Sequence, residues 1–332
     1  MTIKLERGKQ LLYLSQQDVA EVGLSMSEIM EAVEGALQEK GRGHVQMPPK
    51  PGLHTNGDAF IHAMPAYIPA VRSAGIKWVS GYPDNPTRHD LPYITGLLVL
   101  NCPETGVPLA IMDCIWITAK RTGAVSGVAA KYLARKGSEV LAILATGAQA
   151  RTQLEALVLA VPTLREARCY DVRPNVLEQF ISDMQPAVPN LKLAAADGPE
   201  AAVRGADIVV TAGPILKHPR PSVKAEWLKD GVLGLPIDFD SMWTGEALQD
   251  ASKYYVDDIG QYEYYQMQGY FGQALRVLGD LGDITTRKVP LRESDSEKII
   301  SMNLGLALED MATAIRIYQK ALERGMGKVL PL

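Results

Sequence analysis

Residues 139–160 read EVLAILATGAQARTQLEALVLA, and this stretch decides the fold. The segment EVLAILA (139–145), apolar without interruption from 140, predicts a buried β-strand, because such runs are typical of strands that are covered on both faces. After a short turn, Leu154 and Leu157 recur at helical spacing and predict a helix. A buried strand that leads through a tight turn into a helix indicates an alternating α/β fold with a parallel sheet.

The turn between this strand and helix, ATGAQA (145–150), is similar to the G-x-G-x-x-G/A pattern of dinucleotide-binding loops. Ala145 stands at the first glycine position, Gly147 at the second and Ala150 at the third. Gly147 lets the backbone approach a pyrophosphate, and the helix start offers unpaired N–H groups. The alternative is a tight turn that binds nothing. We expect cofactor contacts from four turn residues, Thr146, Gly147, Ala148 and Gln149.

Two charged residues near the end of the second predicted strand, 166–171, bear on the choice of cofactor. Asp171 ends that strand, where an acid accepts hydrogen bonds from the ribose hydroxyls of the adenosine half. A carboxylate there repels a 2′-phosphate, so the sequence favours NAD. Arg173 lies two residues further and is able to bind such a phosphate, so NADP stays possible. The alternative for Arg173 is a solvated surface charge.

Strands and helices continue to alternate through this part of the chain. The pattern predicts a doubly wound parallel sheet of the Rossmann type, an α/β fold. Further helices are predicted at 118–135, with Thr118 as N-cap, and at 175–184 and 199–204. Further strands or apolar runs are predicted at 191–195, 207–213, 231–237 and 253–258.

Residues 1–117 have a different composition from the rest of the chain. Turns rich in Pro and Gly separate short extended runs, which indicates a meander or a mixed sheet. One helix interrupts these runs, and Ser25 with Glu28 has the spacing of a capping box at its start.

The last element is predicted as a long helix, 295–324, with Ser294 and Glu297 at capping-box spacing. Its apolar residues cover more than one face, so we expect it to be buried on several sides. This helix and the short strands of the first domain need a partner surface, so we expect a homodimer. We expect this helix to return to the first domain. The sequence therefore predicts two domains, a discontinuous α+β domain formed by 1–117 and 306–332 and a Rossmann domain formed by 118–305.

Composition narrows the classes of function. The chain has 332 residues and a formal net charge of -4, so no basic excess favours nucleic-acid binding. Its three cysteines are widely spaced and its histidines lack metal-ligand spacing, so we expect no disulfide framework, no metal site and a reducing compartment. The start MTIKLERGKQ lacks the apolar stretch of a signal peptide, and we find no apolar run long enough to span a membrane. We expect a cytoplasmic protein.

Several blocks of the sequence resemble the ornithine cyclodeaminase/μ-crystallin family. They are GIKWVS (75–80), LPYITGLLVLNCPETGVPLAIMD (91–113), TAKRTGAVSGVAAKYLA (118–134), ATGAQARTQLEAL (145–157) and NLGLALEDMATA (303–314). The resemblance implies a homodimer in which a Rossmann domain binds the cofactor. It also implies that both chain ends build the domain for substrate binding and dimerisation.

The resemblance implies three cationic site residues. Lys77 stands at the position of a substrate-contacting lysine, and Arg121 at that of the arginine that binds the substrate carboxylate near the nicotinamide. Lys50 falls at the place of a further basic residue. Clustered cations suit an amino or imino acid, because they fix its carboxylate. We also expect a helix N-terminus to assist Arg121. The alternatives are surface lysines at 50 and 77 and an interdomain salt bridge at 121.

The chain departs from the family after a late strand, where cyclodeaminases carry a Gly-Asp-x-Pro-Gly-Lys-like stretch whose aspartate acts in the chemistry. The region reads LPIDFDSMWTGEAL (235–248), without the Pro-Gly-Lys element. Asp238 is the first candidate for the catalytic carboxylate and Asp240 the second; the alternative for each is a strand-end cap. Asn303 stands where many members carry a Ser near the nicotinamide. The aromatic segment 261–272 suggests a lid, a dimer contact or packed loop aromatics.

These observations predict an NAD(P)-dependent oxidoreductase that acts on the carbon–nitrogen bond of a small amino acid, or on the corresponding imine or keto acid. Lys77 or Asp238 is expected to handle protons. The first alternative is a cyclodeaminase-type lyase that uses NAD without net redox change. The second is a non-enzymatic ligand-binding protein of the μ-crystallin kind.

Overall fold

The computed structural model describes residues 2–272 and 275–332 and divides into two compact units. The first unit contains the residues up to Arg121 together with Leu306–Leu332, and the second contains Thr122–Gly305. The later boundary coincides with the predicted one, and the earlier boundary lies a few residues further along the chain. The roles of the two units stay predictions.

The three longest strands, of eight or nine residues, lie in the first unit, and the strands of the second unit have four or five residues. The strands are β1 (Gln10–Leu14), β2 (Gly52–His54), β3 (Phe60–Ile68), β4 (Ser73–Gly81), β5 (Ile94–Asn101), β6 (Pro108–Asp113), β7 (Val140–Leu144), β8 (Glu166–Tyr170), β9 (Lys192–Ala195), β10 (Ile208–Thr211), β11 (Leu233–Pro236), β12 (Lys253–Val256), β13 (Val277–Asp280), β14 (Ile299–Met302) and β15 (Lys328–Pro331).

The α-helices vary from single turns to five turns. They are α1 (Gln16–Glu21), α2 (Met26–Gly41), α3 (Asn85–Arg88), α4 (Ile115–Leu133), α5 (Ala148–Ala160), α6 (Pro174–Met184), α7 (Pro199–Val203), α8 (Gly245–Gln249), α9 (Ile259–Met267), α10 (Leu281–Thr285) and α11 (Ala307–Arg324). Among the residues that the structure describes, no helix is long and apolar enough to cross a membrane.

The first unit is built on a seven-stranded mixed sheet in the order β15-β1-β6-β5-β4-β3-β2. All its neighbouring strands are antiparallel except β1 and β6, which are parallel. Helix α11 contacts α2, β3 and β4, so the C-terminal helix is packed within this unit. The capping box predicted for α2 is confirmed: the Ser25 hydroxyl accepts from the Glu28 N–H, and the Glu28 carboxylate accepts from the Ser25 N–H.

The second unit contains an eight-stranded sheet in the order β13-β12-β14-β11-β10-β7-β8-β9, and all its strand pairs are parallel. The predicted Rossmann-type sheet is therefore confirmed. From β7 the chain proceeds through β8 and β9 on one side and returns to β10 and β11 on the other. The C-terminal ends of β7 and β10 thus form the topological switch point, where ligands of open α/β sheets bind.

The predicted start of the helix at Thr118 is wrong, because α4 begins at Ile115. The Asp113 carboxylate accepts the Ile115 N–H at 2.9 Å, and the Thr118 N–H already donates to the Cys114 carbonyl. Thr118 therefore lies inside the helical hydrogen-bond pattern. The unit boundary falls within α4, after Arg121.

The predicted long helix 295–324 is also wrong for all residues before Ala307. Residues Ile299–Met302 form β14, which lies between β11 and β12 and is buried along its whole length. Two adjacent β-branched isoleucines favour a strand that packs on both faces. The Glu297 carboxylate pairs with Lys253 at 2.9 Å. Gly305 then turns the chain with a φ of 81°, and the helix begins at Ala307.

Candidate functional site

The turn between β7 and α5 lies at the switch point of the parallel sheet. Ala145 has a φ of 67°, so it adopts the left-handed conformation that a glycine usually takes at this first position of the motif. Gly147 is the N-cap of α5 and provides no side-chain cap. A Cβ built on Gly147 meets no atom within 4 Å, so the space above it is open. Open space over uncapped helix N–H groups fits the pyrophosphate of a dinucleotide.

Asp171 directly follows β8 and is tied to the same turn. Its Oδ2 accepts the Thr146 N–H at 2.8 Å, and its Oδ1 accepts the Arg173 backbone N–H at 3.0 Å and Nε at 3.2 Å. Burial raises the pKa of Asp171, but the hydrogen bonds from Arg173 and Thr146 outweigh it and the net pKa lies below the ordinary value. The carboxylate is therefore charged at neutral pH and suited to accept ribose hydroxyls. The Arg173 side chain is mostly exposed beside it.

A buried cluster of four charged side chains lies in the first unit. The Lys77 ammonium on β4 lies 2.8 Å from the Asp310 carboxylate in the first turn of α11. The Arg121 guanidinium donates from Nε to Asp310 at 3.1 Å and from Nη1 to Glu309 at 2.8 Å. The two carboxylates are completely buried, and Lys77 and Arg121 nearly so. We call these four residues the charge cluster.

Burial shifts the pKa values of two members of the charge cluster, Lys77 and Glu309. Burial lowers the pKa of Lys77, and the nearby Asp310 carboxylate opposes this effect without cancelling it. Burial also raises the pKa of Glu309. Arg121 lies about two turns inside α4, and a helix dipole acts only over the first turn, so the expected help from a helix N-terminus is wrong.

Lys50 and His62 lie beside the charge cluster in the first unit. Lys50 is only 7% exposed, so neither it nor Lys77 is an ordinary surface lysine. Burial lowers the pKa of His62 to about 3, and the positive charges of Lys50 and Lys77 contribute to that shift. His62 is thus a neutral imidazole at neutral pH. Its ring stacks on Phe60 with the ring centroids 4.3 Å apart.

The two candidate aspartates of the second unit differ in their surroundings. Asp238 is completely buried; its Oδ1 accepts the Thr211 hydroxyl at 2.6 Å and its Oδ2 accepts the Gly213 N–H at 2.9 Å. Burial raises the pKa of Asp238 to about 6. Through these two hydrogen bonds, Asp238 links the C-terminal end of β11 to the C-terminal end of β10.

Asp240 lines a cavity of about 320 Å³ in the second unit, whose walls include Trp243, Tyr254 and Phe271. Its Oδ1 is enclosed, and within 2–272 and 275–332 no group donates a hydrogen bond to that atom. Burial raises the pKa of Asp240, and nearby backbone N–H groups, first its own, oppose the shift without cancelling it.

Asn303 follows β14 and is 3% exposed. Its side-chain amide donates to the Ser126 hydroxyl at 3.3 Å, and its side-chain oxygen accepts the Ser301 hydroxyl at 3.2 Å. These bonds fix the direction of the Asn303 side chain within the second unit.

The structure thus brings the predicted residues into groups that lie within single units. Lys77 and Arg121 meet at Asp310 in the first unit, and Lys50 is buried in the same unit near His62. The cofactor turn and Asp171 lie together in the second. Sequence reasoning missed Glu309, Asp310 and His62. The adjacent acids in LALEDMATA were a usable signal, since two carboxylates inside an otherwise apolar segment must find buried cations.

The sheet order, the switch-point turn and Asp171 define a Rossmann-type dinucleotide-binding protein. The sequence profile of the ornithine cyclodeaminase/mu-crystallin family matches residues 10–325, so the chain belongs to this family and the predicted resemblance is confirmed. The chain is 37% identical over 328 residues to an alanine dehydrogenase of Archaeoglobus fulgidus, covering 96% of this chain and 97% of the relative.

Two solved structures are similar over almost the whole chain. One is Thermococcus litoralis Delta(1)-pyrroline-2-carboxylate reductase in complex with NADH and L-proline, with a TM-score of 0.86, 32% identity and coverage of 96% of this chain and 99% of that one. The other is an archaeal alanine dehydrogenase dimer with bound NAD, with a TM-score of 0.86, 35% identity and coverage of 97% and 99%.

A first prediction concerns the cofactor turn. We expect the parent protein to bind NADH more tightly than NADPH, and Asp171→Ala to narrow that difference because the carboxylate that repels a 2′-phosphate is gone. Titration of both dinucleotides by fluorescence measures it. Arg173→Ala is the control, and it should weaken NADPH more than NADH. A parent that prefers NADPH would contradict the assignment of Asp171.

A second prediction concerns the charge cluster. Asp310→Asn removes the carboxylate that contacts both Lys77 and Arg121, and it should lower the free energy of unfolding by about 3–5 kcal/mol, as for other broken buried ion pairs. Denaturant unfolding measures the change. Glu31→Gln, which breaks the exposed ion pair with Arg316, is the matched control and should have little effect. Equal stability of the two variants would show that the cluster is not needed for the fold.

Proposed function

We propose that this chain is an NAD-dependent oxidoreductase that acts on the carbon–nitrogen bond of a small amino acid or of the corresponding imine. The observation that carries the proposal is the buried group of three cations, Lys50, Lys77 and Arg121, in a chain that also contains a complete dinucleotide turn. Cations held out of water bind a carboxylate strongly and fix its direction. The alanine dehydrogenase and pyrroline-2-carboxylate reductase relatives support an amino or imino acid as substrate.

In this proposal the cofactor, when bound, accepts or supplies the hydride, and the protein binds, orients and exchanges protons. Thr146, Gly147, Ala148 and Gln149 hold the pyrophosphate, Asp171 holds a ribose, and Asn303 contacts the nicotinamide half. Arg121 and Lys50 bind the substrate carboxylate. Glu309 and Asp310 accept hydrogen bonds from the Arg121 guanidinium and fix its orientation before the substrate binds.

Lys77 is suited to hold and release a proton at Nζ. Its pKa is lowered by burial, and a lowered pKa lets an ammonium act as an acid and its amine as a base nearer to neutral pH. Asp310 accepts from the same nitrogen at 2.8 Å, which keeps the Lys77 side chain in place.

Asp240, rather than Asp238, is the better carrier of the second proton. Both oxygens of Asp238 accept hydrogen bonds from the end of β10, so this residue holds the turn. Burial raises the pKa of both aspartates, that of Asp238 to about 6, so the pKa does not distinguish them. Asp240 is preferred because it borders the cavity, whereas both oxygens of Asp238 are bound to the end of β10.

A screen of amino acids with NAD, and of keto acids with ammonia or methylamine and NADH, tests the proposed function. Steady change of the NADH absorbance with at least one small substrate is expected. Ammonia release from an amino acid without net NADH formation would instead establish a cyclodeaminase. Tight ligand binding without turnover of any substrate would establish a binding protein.

A third prediction separates geometry from charge at Arg121. Arg121→Lys keeps a cation but loses the planar fork that matches a carboxylate. Because a displacement of about 1 Å can cost on the order of 100-fold in rate, turnover should fall by about that factor. Dinucleotide affinity, titrated on the same preparation, should change little. Near-parent turnover and KM would place the carboxylate site elsewhere.

A fourth prediction separates the two aspartates. Asp240→Asn should lower kcat strongly while the protein keeps its melting temperature. Asp238→Asn should lower the melting temperature, because an amide cannot accept both the Thr211 hydroxyl and the Gly213 N–H. Thermal unfolding and steady-state kinetics on both variants measure this. The reverse pattern would return the proton-carrying role to Asp238.

The sequence suggested two sources for a homodimer surface, the C-terminal helix and the strands of the first domain. Helix α11 is covered by α2, β3 and β4 of its own unit, so the strands are the better source. Trp78 and Leu97 are cross-strand partners on β4 and β5, and each is nearly half exposed. Ile76 and Val99 pair on the same face. We propose that a second copy of the chain covers this apolar face, as the archaeal alanine dehydrogenase dimer supports.

A fifth prediction tests that surface. Trp78→Glu places a charge in the proposed interface and should convert a dimer to a monomer in sedimentation experiments at micromolar concentration. Leu159→Glu changes an equally exposed leucine in the second unit and should leave the dimer intact. A monomeric parent, or a dimeric Trp78→Glu variant, would contradict the proposed interface.

A further inference from the structure

The aromatic segment near residues 259–272 is packed into the second unit. Around the ring of Phe239 lie the rings of Tyr265, Phe271 and Tyr270, with centroid distances of 5.0, 5.3 and 5.7 Å. We call these four residues the aromatic cluster. Phe239 is only 2% exposed within it. The cluster therefore connects the aromatic segment to the turn that contains both candidate aspartates.

Two members of the aromatic cluster have a backbone conformation that bulky residues rarely adopt. The φ of Phe239 is 61° and that of Phe271 is 58°. Glycine occupies this left-handed region without cost, whereas a large side chain persists there only when surrounding contacts hold it. Here the ring contacts are those contacts, because Phe239 and Phe271 pack against each other.

Each of the three residues in the turn is fixed by a different neighbour. Asp238 is bound to the end of β10 by its two carboxylate oxygens. Phe239 enters the aromatic cluster. Asp240 borders the cavity, and Phe271 lines the wall of the same cavity. The aromatic cluster is therefore next to Asp240 in two ways, through Phe239 in the turn and through Phe271 in the cavity wall.

We propose that Phe239 is a positioning residue. Its packing in the aromatic cluster holds the Phe239 backbone in the left-handed conformation and keeps the Asp240 carboxylate at the wall of the cavity. The catalytic consequence rests on the proposed function, in which Asp240 carries a proton. The positioning itself does not rest on the proposed function, because it concerns only where the Asp240 carboxylate lies and how much water reaches it.

Phe239→Gly is the decisive variant because it permits the same φ while removing the ring. If the ring positions Asp240, the turn loosens in this variant and water reaches the carboxylate. Burial raises the pKa of Asp240 more than the neighbouring backbone N–H groups lower it, so hydration of the carboxylate should bring the pKa down. The acidic limb of the kcat profile should move to lower pH, and kcat should fall by about 100-fold. Affinity for NADH should stay within about twofold, because the cofactor turn is untouched.

The pKa of Asp240 is also measured without turnover, by NMR of isotope-labelled aspartate carboxyls in the NADH complex, with Asp240→Asn to assign the signal. A lower pKa together with a lower kcat supports the proposal. A lower pKa with unchanged kcat supports the positioning and removes Asp240 from the proposed reaction. An unchanged pKa in folded Phe239→Gly overturns the positioning role, whatever happens to the rate.

Two further variants control for loss of packing. Phe180→Leu removes an equally buried ring of α6, outside the aromatic cluster, and should lower stability without moving the Asp240 signal. Tyr270→Leu alters the partly exposed side of the cluster and serves if Phe239→Gly does not fold; it should lower the Asp240 pKa in the same direction. A shift with Phe180→Leu equal to that with the cluster variants would mean that general loosening, not the Phe239 ring, governs Asp240.

Discussion

The contact of Asp310 with both Lys77 and Arg121 is the interaction on which the first unit depends. These residues come from β4, α4 and α11, and two of them are separated by most of the chain. Three charges that are out of water cost a large desolvation energy, and only their close pairing offsets it. The charge cluster therefore explains why the C-terminal helix packs against a sheet formed by the first third of the sequence.

The charge cluster consists of two cations, Lys77 and Arg121, and two carboxylates, Glu309 and Asp310. Lys50 is a third buried cation of the same unit, outside the charge cluster. In the proposed function, these three cations attract the substrate carboxylate. The second unit provides different chemistry. The N-terminus of α5 has no side-chain cap and suits a phosphate, and burial raises the pKa values of Asp238 and Asp240 after β11.

The extent to which the sequence predicted these features depends on how local the cause is. The β7–α5 unit, Asp171 and the capping box of α2 were predicted because adjacent residues determine them. The stretch at 295–324 was assigned wholly to helix because an apolar strand and a helix buried on several sides look alike without their neighbours. Glu309 and Asp310 were missed because their cations are distant in sequence. The left-handed conformations of Ala145 and Phe239 could not be predicted from the residue type, because glycine is the residue that usually adopts this conformation.

Transfer of deuterium tests the central claim most directly. The protein is given NADH labelled with deuterium on the transferred face of the nicotinamide, together with the best imine or keto acid and amine pair, and the product amino acid is examined by mass spectrometry and NMR. The account predicts one deuterium at Cα of the product in the parent and a strongly reduced yield in Arg121→Lys. An amino-acid product without deuterium at Cα would contradict it.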